Sequence, residues 1–157
     1  MYAIYKKSTI YISKLVQEVF LKYRQTSSTQ VEACGVLIGN HKTNGDILIK
    51  VATNPQANDR RYRNSFILHS PSHQYILDQH FTSSDNEDVY IGTWHTHPQS
   101  YPIPSKIDIE DWKKQYKANC RLFNLMVFCI VGIRKTKLWI IKNSKIELIS
   151  RRKIKYV

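Results

Sequence analysis

The spacing of apolar positions divides the chain into short strands interrupted by three amphipathic helices. Residues 2–12 alternate as one strand, and Ser13 caps a helix through about Arg24 with Leu15, Val16, Val19, Phe20 and Tyr23 on one face. Residues 31–39, VEACGVLIG, read as a buried strand, with residues 46–52 as its hairpin partner across a turn containing Asn44-Gly45. A polar loop spans residues 54–64, a short strand residues 66–69, and Pro71 opens a helix to about Phe81. Residues 89–95 form a central strand and residues 105–118 an amphipathic helix. Strands at 122–133, 137–142 and 145–150 close the chain. A strand-rich sheet with about three helices is an α+β fold.

Composition narrows this picture. No repeat, low-complexity tract or linker divides the 157 residues, so one domain over residues 1–157 is expected. The 42% hydrophobic and 11% aromatic shares belong to a globular protein. No apolar run approaches the roughly 18 to 20 residues of a membrane span. The first twenty residues lack the basic start, apolar block and cleavage site of a signal peptide, so the expected location is cytoplasmic, away from membranes. Cys34, Cys120 and Cys129 are odd in number and show no Cys-x-x-Cys spacing, which suggests neither a disulfide framework nor a zinc knuckle.

The net charge of +12 is unevenly spread. Residues 64–105 contain no Lys or Arg, whereas residues 113–157 carry thirteen against one acid, Glu147. Such a basic third would attract an acidic partner or nucleic acid, and serves equally well as a solvated face. No groove-reading motif or aromatic platform supports nucleic acid.

The chemistry concentrates in VYIGTWHTHPQSYPIPSKIDIEDW, residues 89–112. Side chains at i and i+2 of a strand leave the same face, so His95 and His97 can converge on one Zn²⁺ ion. Asp108, at the start of the next helix, can supply a third ligand. Three protein ligands leave one position of a tetrahedral zinc open, the arrangement of a catalytic rather than a structural site. Hydrolysis also needs a base and a donor to the developing oxyanion. Glu32 is the candidate base, a carboxylate in an otherwise apolar strand. Ser105, one helical turn before Asp108, is the candidate donor.

Each residue has a plainer reading. Ser105-x-x-Asp108 matches a helix cap, and Glu32 could be a surface acid at a strand end. A lone strand histidine is more often structural. The conjunction changes the odds: His-x-His-Pro, six residues, then Ser-x-x-Asp arises by chance in roughly a few of every hundred thousand chains of this composition. His69, His73 and His80 fall at helix-compatible spacing without a companion acid or cysteine, a weak basis for a second metal. Cys34 reads as a packed, inert thiol, and Trp94 as either core or channel lining. Pro98, Pro102 and Pro104 stiffen the loop between the ligands. Thr96 points away from the metal and has no assigned task.

Glu32, His95-x-His97, seven residues, Ser105, two residues and Asp108 resemble the JAMM signature of the JAB/MPN metalloproteases. The segment containing Glu32, Cys34, Gly35, Leu37 and Gly39 is similar to that family's E-x-C-G-x-L-x-G strand. The resemblance covers about residues 10–140. It implies a single JAB/MPN domain: a curved mixed sheet flanked by about three helices, of cytidine-deaminase-like architecture. It also implies His95, His97 and Asp108 as ligands of one Zn²⁺, Glu32 as acid/base and Ser105 as oxyanion donor. Residues 66–112 resemble compact bacterial members from operons with ubiquitin-activating-like (E1-like) and ubiquitin-conjugating-like (E2-like) proteins, including anti-phage CBASS operons.

By that resemblance the protein is a deubiquitinase-like isopeptidase. It would cut after the flexible C-terminal tail of a conjugated protein, either a ubiquitin-like modifier or the CBASS nucleotidyltransferase. Two alternatives stand beside it: a peptidase that trims a sulfur-carrier protein, and a non-catalytic MPN scaffold. The chain has no His-Glu-x-x-His helix, no deaminase Pro-Cys-x-x-Cys, and too few residues for an amidohydrolase barrel.

Overall fold

A computed structural model of the chain describes residues 1–149 and the backbone of residues 152–153. In chain order the elements are β1 (Tyr2–Tyr5), β2 (Ser8–Ile12), α1 (Lys14–Tyr23), β3 (Cys34–His41), β4 (Ile47–Ala52), β5 (Arg60–Arg61) and β6 (Phe66–Ile67). There follow α2 (Ser70–Ser83), β7 (Val89–Thr96), α3 (Lys106–Asn119), β8 (Leu125–Val131), β9 (Thr136–Lys142), β10 (Lys145–Leu148) and β11 (Arg152–Lys153). Nine strands form one mixed sheet in the order β10-β9-β8-β7-β3-β4-β2-β1-β11, parallel at β2/β4 and β7/β8. The fold is α+β, with β7 near the middle of the sheet. No helix among the described residues is long and apolar enough to cross a membrane.

The sheet is covered on both faces, and β8 shows how. Its run LMVFCIV is buried throughout. Val127, Cys129 and Val131 join the core under α1, with Val16, Phe20 and Trp94. Met126, Phe128 and Ile130 join the core under α3, with Trp112 and Trp139. A strand buried on both faces loses polar alternation, which is why this stretch reads as continuous apolar sequence. Trp94 is a core residue: it packs 5.3 Å from Phe20, and its indole N–H donates to the Thr53 carbonyl at 3.1 Å.

Several elements depart from the sequence expectations. Residues 2–12 form two antiparallel strands, because Lys6 adopts a left-handed conformation (φ 55°) and reverses the chain. Leu15 is exposed, since the buried stripe of α1 runs through Val16, Val19, Phe20 and Tyr23 at i, i+3, i+4 and i+7. The polar loop of residues 54–64 contributes Arg60–Arg61 to a small hairpin with Phe66–Ile67. The helix opened by Pro71 begins at Ser70 and continues to Ser83, and the strand expected over 122–133 shortens to Leu125–Val131. Ser150, the expected end of the last strand, lies outside the described residues.

Candidate metal centre

His95 lies near the C-terminal end of β7, held between parallel β8 and antiparallel β3, and His97 follows just past that end with its N–H donating to the Val131 carbonyl. Close backbone packing makes this geometry possible. A Cβ on Gly35 would lie 2.2 Å from the Thr53 carbonyl oxygen and 2.6 Å from the Trp94 indole nitrogen. The loop after His97 is pinned to the β8–β9 turn, where Ile133 N–H donates to the Gln99 carbonyl and Arg134 and Lys135 donate to that of Ser100. A side chain on Gly132 would collide with Gln99 O and Pro102 Cδ, both at 2.5 Å. The prolines and this glycine together deliver the chain to α3 along a fixed path.

At the start of α3 the capping reading is also true. Asp108 N–H donates to Ser105 Oγ at 3.1 Å, and Ser105 N–H donates to Asp108 Oδ2 at 2.6 Å. This reciprocal box fixes both side chains. Because Ser105 Oγ only accepts in the cap, its own proton remains free to be donated elsewhere.

Three buried side chains converge across the gap, Asp108 turning one oxygen toward each histidine. His95 Nε2 lies 3.0 Å from His97 Nε2 and 3.3 Å from Asp108 Oδ1, and His97 Nε2 lies 3.4 Å from Asp108 Oδ2. Zinc bonds of roughly 2.0–2.1 Å set tetrahedral edges of about 3.3 Å, so the spacing suits that ion. The protonation states of His95 and Asp108 suit it as well, whereas a metal at His97 must displace a proton. Burial lowers His95, which favours the neutral imidazole. Burial would raise Asp108, but hydrogen bonds from His95, His97 and Ser105 hold it well below the usual carboxylate range. Burial opposes protonation of His97 too, yet the hydrogen bond and charge of Asp108 raise it. Its Nδ1 faces Gln99 Oε1 at 3.4 Å, and a proton there leaves Nε2 a lone pair. Among the described residues this is the group of His, Cys, Asp and Glu able to share a metal.

Glu32 joins the trio from one side, its Oε1 3.8 Å from His97 Nε2. It does not lie within the strand, which begins at Cys34. Its N–H turns away from the ladder and donates to the Tyr62 carbonyl at 2.7 Å. Burial pushes the Glu32 carboxyl up to about 7, with a further push from Asp108 and an opposing pull from His97. Folding of the metal-free protein therefore favours protonated Glu32. The stability this group contributes is complete below its ordinary 4.5 and is lost as pH rises through about 7. Metal-free Glu32→Gln should match wild type near pH 4 and exceed it by on the order of 1–3 kcal/mol at pH 8. Urea unfolding in chelator at the two pH values checks this.

Sequence reasoning missed two features. The first is a buried latch. His73 Nε2 lies 3.2 Å from both Asp59 carboxylate oxygens, and its Nδ1 lies 2.7 Å from Thr53 Oγ1. Asp59 supplies the acid that no helix spacing revealed, so His73 fastens α2 and the 54–64 loop to the sheet. Cys34 Sγ lies 3.9 Å from Asp59, and burial together with that carboxylate drives the thiol well up, as an inert cysteine requires. His69 pairs with Ser72, not with a second metal set.

The second feature is a groove of about 970 Å³ between α2 and α3, with His97 and Asp108 of the trio at one end. One wall is a stripe of α2: Ser70, His73, Gln74, Leu77, Asp78 and Phe81. The other is a stripe of α3: Asp108, Asp111, Trp112, Gln115 and Asn119. Val36, Tyr90 and Thr93 of β3 and β7 also line it. Four acids (Glu32, Asp78, Asp108 and Asp111) and no Lys or Arg line this groove in a protein of net charge +12.

Known proteins are similar to this chain in sequence or in fold. A family profile described as prokaryotic homologs of the JAB domain matches residues 16–144. The "CD-NTase/cGAS isopeptidase" of Escherichia coli (strain TW11681) is 33% identical over 137 residues, covering 85% of this chain and 83% of that protein. A protein of the same description from Pseudomonas aeruginosa (strain BWHPSA011 / Pa011) is 35% identical over 109 residues, 69% of this chain and 68% of its own. Another, from Vibrio cholerae serotype O1 (strain ATCC 39315 / El Tor Inaba N16961), is 30% identical over 130 residues, 83% and 78% of the two chains. The solution structure of protein DSY2949 from Desulfitobacterium hafniense shares the fold, with a TM-score of 0.60 at 19% identity over 88% of each chain.

Proposed function

The chain belongs to the prokaryotic JAB family, and on that footing we propose that it is a zinc-dependent isopeptidase releasing a conjugated protein tail. The observation that carries the reading is the convergence of His95, His97 and Asp108, with Glu32 at its edge and Ser105 facing the same groove. A zinc ion held by the trio would supply Lewis acidity, making a water more acidic and polarising the scissile carbonyl. Glu32 takes a proton from the attacking water as its oxygen bonds to the carbonyl carbon. The same carboxyl then delivers that proton to the amine nitrogen as the C–N bond breaks, leaving a carboxylate and a free amine. Ser105 Oγ donates its unused proton to the carbonyl oxygen as charge gathers there.

The groove and its rim support a protein tail as substrate. The α3 wall from Asp108 to Asn119 spans about 17 Å at 1.5 Å per residue. That length accommodates about five residues of extended peptide. Its acidic lining favours tails bearing Lys or Arg. Tyr62 and Ile67 on one side, and Tyr101, Ile103 and Ile107 on the other, are exposed large hydrophobics on segments bordering the trio. Such a rim suits docking of a folded protein body better than entry of a small metabolite.

The relatives called CD-NTase/cGAS isopeptidases favour a nucleotidyltransferase conjugate of the CBASS type over a sulfur carrier or a non-catalytic scaffold. The test uses a CD-NTase joined through its C-terminal carbonyl to a lysine amine of a second protein, incubated with purified enzyme in the presence of zinc. Mass spectrometry should show both proteins regenerated, with a free C-terminal carboxylate on the first. An untouched conjugate, or cleavage inside the tail, would contradict the assignment.

A further inference from the structure

Thr96 sits between the two histidines and points to the opposite side of β7, where it is fully buried. Its backbone N–H donates to the Ala33 carbonyl at 2.9 Å, and its Oγ1 accepts the Ala33 N–H at 2.9 Å. The same hydroxyl donates to Gln25 Oε1 at 2.9 Å. Gln25, 1% exposed, spends both amide protons on carbonyls, those of Gln30 at 3.2 Å and Arg63 at 3.0 Å. Every side-chain donor and acceptor atom of this buried pair faces a partner, and each partner lies on a segment bearing on the site. Ala33 adjoins Glu32, Arg63 adjoins Tyr62 whose carbonyl receives the Glu32 N–H, and Gln30 begins the approach to Glu32.

The ladder between β3 and β7 ends at the Cys34–His95 pair, and beyond it a single backbone bond, from Thr96 N–H to the Ala33 carbonyl, continues toward Glu32. We propose that Thr96 and Gln25 are positioning residues that replace the missing ladder and hold the Glu32 carboxylate in register with the His95–His97 pair. Buried polar groups that are fully partnered specify a single geometry, and removing one partner leaves the others stranded in the interior. A hydroxyl-to-methyl change at Thr96 keeps volume and strand propensity but leaves Ala33 N–H and Gln25 Oε1 unpaired. Glu32 then loses its fixed distance to the reacting water. Misplacing a reacting group by about 1 Å costs on the order of 100-fold in rate.

The inference rests on Glu32 being the proton carrier. The experiment compares Thr96→Val, Thr96→Ser and Gln25→Met on the CD-NTase conjugate described above, with zinc content measured for each. Thr96→Val and Gln25→Met should lose 10- to 100-fold in kcat with KM near wild type and one zinc per chain retained. Thr96→Ser, which restores the hydroxyl, should recover most of the rate, and Thr96→Val combined with Gln25→Met should be little worse than either alone. Gln25→Met tests the device even if Thr96→Val fails to fold, because it leaves the Thr96–Ala33 bonds in place. Wild-type kcat in a folded Gln25→Met protein would overturn the inference. So would a rate loss matched by zinc loss, or a Thr96→Ser protein as slow as Thr96→Val. If Glu32→Gln were itself fully active, the reading of Glu32 would fall first, and the two failures are told apart by that control.

Discussion

Glu32→Gln protein is expected to bind zinc at wild-type stoichiometry and to cleave the conjugate about 10³-fold more slowly or worse. The substitution is nearly isosteric at a buried position, so packing around His97 is retained. What it removes is the capacity to accept a proton. Glu32 is well placed for that task by geometry, since it is buried beside the trio at the edge of the groove where a water and an amine would meet. Its Oε1 is 3.8 Å from His97 Nε2, outside the trio yet beside it, as expected of a base rather than a ligand. Ser105→Ala on the same assay should fall less, by roughly 10²-fold, since an oxyanion donor is lost while the proton path remains. Full activity of Glu32→Gln with normal zinc content would remove the proposed base.

The second large effect concerns Asp108. Asp108→Asn should keep α3 capped, because an amide oxygen can still accept the Ser105 N–H, yet zinc affinity should fall by at least about 100-fold. The charge decides this. Asp108 is held ionised by His95, His97 and Ser105, and a neutral amide supplies neither that charge nor the same ligand strength. Calorimetry on metal-stripped protein should show zinc raising the wild-type midpoint, by mass action equivalent to about 2.7 kcal/mol at 100-fold excess over Kd. The Asp108→Asn midpoint should move far less, by at most about 0.4 kcal/mol equivalent at the same zinc concentration. A zinc-induced shift of wild-type size in Asp108→Asn would exclude Asp108 as a ligand.

Much of the site was legible in the sequence because its chemistry is local in spacing. The histidines at i and i+2 had to share a strand face, and Ser105 and Asp108 had to share a helix turn. Glu32 was legible as an anomaly, but its place was not: it sits before β3 because its N–H turns to Tyr62, a contact with a loop thirty residues away. The same non-locality hid Asp59, whose pairing with His73 joins a loop to a helix. Thr96 was known only by where it did not point, since strand periodicity is silent on what waits beneath the other face. The Lys6 reversal was masked because two lysines interrupt neither the alternation nor the β character of their flanks.

The groove shows a subtler relation. Residues 64–105, free of Lys and Arg, supply the α2 wall and many of the lining residues, so the gap in basic charge along the sequence becomes a gap in space. On α3 the two readings interleave. Asp108, Asp111, Gln115 and Asn119 face the groove, while Lys113, Lys114 and Lys117 on the same helix are exposed and do not line it. Helical phase keeps these lysines out of the groove, which a count of charges per segment cannot reveal.

Zinc-edge X-ray absorption on metal-stripped, reconstituted wild-type protein tests the central claim most directly. The expected spectrum shows one tightly held zinc with two imidazoles and oxygen ligands at about 2.0–2.1 Å. Failure to retain zinc, or sulfur scattering at about 2.3 Å, would contradict a centre built from His95, His97 and Asp108.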